Sequence, residues 1–143
     1  MRDLRNATAV GALRRENREW LAALPKTMSF QTLQGGLLLC HGIGEDDMAM
    51  LREDDMGYAL EFNLPLSELR KSKRYSFVVN GHSHEYMVRR IGKILVVNAG
   101  TLSRQSRQSC SIIDFETRCV EMADITGNRI VSTKRYSLDA SCK

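Results

Sequence analysis

The chain has 143 residues, 43% of them hydrophobic and 27% charged, which suits one domain with a real core and an ordinary globular surface. No apolar stretch approaches the roughly 20 residues of a membrane-spanning helix, and Met1-Arg2-Asp3-Leu4-Arg5-Asn6 carries charge without the apolar segment of a secretory leader, so a cytoplasmic protein is expected. The net charge of +4 favours anionic partners in general, and the scattered basic residues without aromatic interleaving do not point to nucleic acid.

Asn17, Trp20, Leu21 and Leu24 recur with a helical period and Pro25 stops the pattern, which predicts an amphipathic helix from about Arg14 to Leu24. A hairpin follows, Met28 to Leu33 and Leu37 to Cys40, turning through Gln34-Gly35-Gly36. The acidic, Met-rich stretch from Gly44 to Gly57 is expected to hold a short helix with Met48, Leu51 and Met56 on one side, close enough to His41 to overhang it. A second helix is predicted from Pro65 to Ser72, with Leu66 and Leu69 on a shared face. It ends in Arg70-Lys71-Ser72-Lys73-Arg74, cations that suit the negative end of a helix dipole and need no other partner.

Tyr75 to Val79 reads as a buried strand, Tyr86 to Ile91 and Ile94 to Asn98 as two more around Gly92-Lys93, and Ser109 to Phe115 with Cys119 to Ile125 as a hairpin. Arg129 to Tyr136 is expected as a last edge strand. No repeat, linker or low-complexity segment interrupts the order, so residues 1–143 are expected to form one strand-rich α/β domain. The cysteines Cys40, Cys110, Cys119 and Cys142 show no Cys-x-x-Cys spacing and read as free thiols, with Cys110 and Cys119 facing each other across the hairpin as a reduced pair.

All three histidines, His41, His82 and His84, fall just past the ends of apolar runs, where open α/β sheets collect ligand groups. A His-x-His pair occurs by chance in surface loops; this one follows Tyr75-Ser76-Phe77-Val78-Val79 directly. If the extended backbone continues through Asn80-Gly81, alternation puts the imidazoles of residues 82 and 84 on one side, aimed at a common point.

His41-Gly42, then Gly81-His82-Ser83-His84, then Asn98-Ala99-Gly100-Thr101, each after a strand, together resemble the C-terminal part of the calcineurin-like metallophosphoesterases. That family has His-Gly, Gly-His-x-His and Asn-Pro-Gly-Ser there, so Ala99 and Thr101 stand in for the usual proline and serine. The resemblance runs from about residue 14 to residue 125. It implies a partial β-sandwich with flanking helices, a truncated α/β/β/α arrangement. It also implies a two-metal centre in which His41 and His82 share one ion and His84 holds its neighbour.

Such ions, with imidazole ligands manganese, iron, zinc or nickel, would activate a water for attack on a phosphomonoester or phosphodiester, and their binding would weaken as imidazoles protonate in mild acid. The family's Asp-x-His, Gly-Asp and Gly-Asn-His or Gly-Asn-Asp motifs are not in this sequence, and Gly127-Asn128-Arg129 has the wrong neighbour. No catalytic residue is therefore assigned. Half of the centre is expected here, in a chain inactive or weakly active alone, with an inactive remnant that acts by binding as the alternative.

Glu45, Asp46 and Asp47 are the nearest carboxylates that could substitute, although an acidic run at a helix start is ordinarily a cap. Asn98 is a candidate to orient a histidine or to cap its turn. Arg104 and Arg107 read as a solvated loop, with reach to a phosphate leaving group as the other reading. An uncovered apolar face is expected to make the chain a homodimer or to bring a complementing chain.

Overall fold

The computed structural model describes residues 13–139. Cys142 and the N-terminal hexapeptide lie outside the described residues.

Helix α1 (Arg15–Ala22) precedes the antiparallel hairpin of β1 (Thr27–Thr32) and β2 (Gly35–Cys40). After an irregular stretch come α2 (Tyr58–Glu61) and α3 (Leu64–Ser72), then β3 (Phe77–Asn80), β4 (Tyr86–Ile91) and β5 (Ile94–Ala99). The last three strands are β6 (Gln108–Asp114), β7 (Cys119–Thr126) and β8 (Arg129–Ser137). Two sheets result, one in the order β1-β2-β3-β5-β4 and one in the order β6-β7-β8.

In the larger sheet β2, β3 and β5 are parallel, and their runs Leu37-Leu38-Leu39, Phe77-Val78-Val79 and Leu95-Val96-Val97 lie in register. Strands buried on both faces read as unbroken apolar runs, and the two faces here serve two cores. Leu38, Val78 and Val96 meet Leu66 and Leu69 of α3 together with Ile43 and Leu51. Leu37, Phe77, Leu95 and Val97 meet Val120 and Met122 of the smaller sheet and Leu138 just past its last strand. Helix α3 is set by Asn63, whose side chain accepts the Leu66 N–H at 3.1 Å, by Pro65 in its first turn, and by a left-handed Lys73 at its end. Arg70 and Lys71 stand in its last turn, as the sequence suggests.

Four expectations are corrected. The β1–β2 turn is two residues, Leu33-Gln34, because Gly35 at φ +122° already belongs to β2 and its α-carbon lies against Ser76, with no room for a side chain. Residues 44–57 form no helix. The Asp46 carboxylate takes the Met48 and Ala49 N–H groups at 2.9 and 3.1 Å, and Arg89 of β4 donates to the Arg52 and Asp55 carbonyls, so side chains hold backbone groups that a helix would use. Leu51 is buried there, while Met48 and Met56 are exposed.

Cys110 faces Ala123 and Cys119 faces Asp114 across the β6–β7 ladder, two separate positions that make no pair; Cys40, Cys110 and Cys119 are free thiols. Helix α1 extends only to Ala22 and buries none of its residues, Trp20 being 64% exposed.

Candidate metal half-site

The C-terminal ends of the parallel strands β2, β3 and β5 lie side by side, and the three sequence motifs follow them. His41-Gly42 leaves β2, Gly81-His82-Ser83-His84 leaves β3, and Gly100-Thr101 leaves β5. A crevice outside the carboxyl ends of such strands is where this class of sheet binds ligands. Gly42 is required there, since a Cβ would stand 2.3 Å from the Asp46 carbonyl oxygen and 2.8 Å from the Asp47 carbonyl carbon.

His82 and His84 do not continue the strand. Both have positive φ, 67° and 61°, and the Ser83 N–H donates back to the Gly81 carbonyl at 2.8 Å, closing a γ-turn on His82. Ser83 Oγ then caps the Glu85 N–H at 3.3 Å. Alternation therefore does not set the side-chain directions; the turns do. Residues other than glycine in this region carry strain that the surroundings must hold in place, a feature concentrated at functional sites.

The turn aims His82 at His41. His82 Nδ1 lies 3.1 Å from His41 Nε2, with the rings edge to face at 5.0 Å between centroids. That is a hydrogen-bonding distance between the two rings, and the same two nitrogens are the ones that would hold a shared cation. His84 stands apart from this pair and lines an adjoining cleft of about 500 Å³ with Ser83, Tyr86 and Arg107.

Buried asparagines tie the turns together. Asn98, fully buried, donates from Nδ2 to the Gly81 carbonyl at 2.5 Å and to Ser83 Oγ at 3.0 Å, while its Oδ1 accepts the Gly100 N–H at 2.9 Å. It thus caps its own turn and holds the one that carries His82, without touching an imidazole. Asn80, its neighbour across the β3–β5 ladder, donates to the Gly42 carbonyl at 3.0 Å. The Cys40 thiol, pushed up in pKa chiefly by burial, points at the same carbonyl, and the Gly81 N–H donates to the His41 carbonyl at 3.0 Å. Asn80 has a role the sequence reading passed over, and its signal was there: Val78-Val79-Asn80 and Val96-Val97-Asn98 are the same tripeptide at the ends of paired strands.

The carboxylate candidates go elsewhere. Glu45 accepts from the Thr27 hydroxyl at 2.9 Å, Asp46 caps its own turn, and Glu45, Asp46 and Asp47 line a cleft against α3 with Lys26, Glu68 and Arg74. Among the described residues no three His, Cys, Asp or Glu side chains gather as a cation site. The donor set thus fits the imidazole side of a metal centre and lacks the hard oxygen ligands that divalent ions also take. Of the two loop arginines, Arg104 is exposed, whereas Arg107 is engaged, with its guanidinium bonded to Asp124 and lying 5.1 Å from the Tyr86 ring centroid.

Residues 4–118 match the calcineurin-like phosphoesterase superfamily domain, which settles the family. The chain belongs to that superfamily. Comparison with curated proteins gives no match. Among solved structures, the hypothetical protein PH1004 from Pyrococcus horikoshii OT3 is 16% identical with a TM-score of 0.60, over 90% of this chain and 46% of that one. Vps29 from Entamoeba histolytica, solved with Zn2+, is 12% identical with a TM-score of 0.56, over 82% of this chain and 63% of that one. Vps29 from Cryptosporidium parvum is 19% identical with a TM-score of 0.54, over 80% and 58%.

These likenesses establish a phosphoesterase-type fold, and the chain spans less than two-thirds of the length of each of these three structures. No described helix is long and apolar enough to cross a membrane.

Proposed function

We propose that this calcineurin-like phosphoesterase chain supplies the imidazole half of a metal-dependent centre that hydrolyses phosphomonoesters or phosphodiesters, with the carboxylate ligands coming from another polypeptide segment. The observation that carries the reading is the 3.1 Å approach of His41 Nε2 to His82 Nδ1, built from a γ-turn at φ +67° and clamped by Asn80 and Asn98. His41 and His82 would hold one divalent ion, manganese, iron, zinc or nickel, and His84 its neighbour. Bound there, such ions polarise a phosphoryl group and acidify a water. The zinc in the Entamoeba Vps29 structure supports a metal in this fold.

Partnership is part of the proposal. Met28 and Phe30 of β1 lie opposite Leu39 and Leu37, on the face that is buried between the sheets further along, yet they are each 45% exposed and Leu39 is 40% exposed. That uncovered strip is the expected seat of a second copy or of a complementing chain, and a strictly monomeric chain at micromolar concentration by light scattering would contradict it.

The test combines elemental analysis of purified protein with p-nitrophenyl phosphate and bis-p-nitrophenyl phosphate assays in manganese. The expected result is bound metal that His82→Ala removes, with turnover weak in the chain alone. Metal-free protein with no His82-dependent turnover would sink the reading. The second reading, an inactive domain that acts by binding, is favoured by the dispersal of the carboxylates, and metal retention without turnover in any complex would select it.

A further inference from the structure

The Arg107 guanidinium is unusually well fixed for a residue in an exposed loop. The β7–β8 ladder breaks register between Asp124 and Ile125, an irregularity of the kind that re-aims a side chain. Asp124 is buried at 8% exposure in the central strand of the smaller sheet, and one of its carboxylate oxygens takes hydrogen bonds from both Arg107 and the Ser132 hydroxyl. The other oxygen, buried, has no hydrogen-bond partner among the described residues. A buried carboxylate left half satisfied is costly, and what it secures here is the position of one guanidinium against the Tyr86 ring.

Asp124 and the Tyr86 side chain take only part of the five-donor fork, so further N–H groups stay available, and Arg107 lines the cleft that His84 also lines. Lys134 of β8 lines the same cleft and makes no ion pair among the described residues. Glu53 and Glu85, both exposed, line it as well, so the lining carries both signs and does not suit a polyanion.

We propose that this cleft is the subsite for the organic part of a phosphate ester whose alcohol carries one further anionic group, received by the Arg107 fork with Lys134 opposite. The proposal rests on the half-site reading for the place of the reacting phosphate, and it makes Arg107 and Lys134 specificity residues. Arginine presents parallel donors to a carboxylate or phosphate, and a guanidinium already held by Asp124 and Tyr86 loses little freedom on binding.

The experiment compares two probes, phenyl phosphate and 4-carboxyphenyl phosphate, for binding to the full chain by calorimetry, with and without manganese. The carboxylated probe is expected to bind about tenfold more tightly, a preference that Arg107→Gln and Lys134→Gln each reduce while phenyl phosphate affinity holds. Lys134→Gln breaks no hydrogen bond to Asp124 and only weakens a through-space attraction to it, so it reports on the cleft even where Arg107→Gln disturbs Asp124. Equal affinity of the two probes for the wild-type chain, or an equal loss of both in Lys134→Gln, would overturn the proposal. Loss of manganese binding with the carboxylate preference intact would overturn the half-site and leave the cleft standing.

Discussion

His82 is the residue on which the site turns, because it accepts a backbone conformation that glycine would adopt more cheaply. A left-handed residue with a side chain costs about 1 kcal/mol or more, so His82→Gly should be more stable than His82→Ala by about that amount, while both lose metal. Paired thermal melts and metal titrations check this, and equal melting points would remove strain from the account. Asn98→Ala leaves the Gly81 carbonyl without its donor in a buried place and should cost about 1–3 kcal/mol by denaturant unfolding. Asn80→Leu, which frees the His41-Gly42 turn, should weaken metal binding about tenfold or more, as for other groups that hold ligands in place. An unchanged affinity would make Asn80 merely structural.

Among the elements, the strands were the most legible in the sequence. Five of the predicted strands, from Tyr86 to the chain's last strand, form within a residue or so of their expected ends, because alternating or unbroken apolar runs bounded by turn residues leave little choice. Residues 44–57 were illegible for a physical reason: the spacing of Met48, Leu51 and Met56 is helical, but Asp46 and Arg89 satisfy the local backbone first, and the partner Arg89 lies more than thirty residues away in sequence. The directions of His82 and His84 were hidden likewise, since the γ-turn and the Ser83 cap override strand alternation.

The smaller sheet carries its own testable charge pair. Asp124 is held below the usual carboxylate range, first by its bond from Arg107 and then by that from Ser132. The pair therefore adds stability that is present above the ordinary carboxylate pKa of about 3.9 and is lost as pH falls through the lower folded value. Asp124→Asn should flatten this acid limb in urea titrations at stepped pH, leaving the part due to Asp114, which Thr117 and Glu116 also hold low. An acid limb of unchanged depth would contradict the assignment.

For the molecule as a whole, the two cores explain both what is closed and what is open. The smaller sheet covers Phe77, Leu95 and Val97, whereas Met28, Phe30 and Leu39 lie on the same face with water access. Strand β1 has no charged residue and no proline, the usual protections of an edge strand. Phe30→Lys should shift the chain toward monomer in light scattering with little loss of secondary structure by circular dichroism; a dimer that survives it would move the interface elsewhere.

The His41–His82 pair is the central claim, and titration of the full chain with zinc by calorimetry tests it most directly. The expected result is one site in the wild type, of the modest affinity two imidazoles give, that weakens at least about tenfold in both His41→Ala and His82→Ala. Wild-type affinity in either variant would contradict a shared ion and, with it, the half-site.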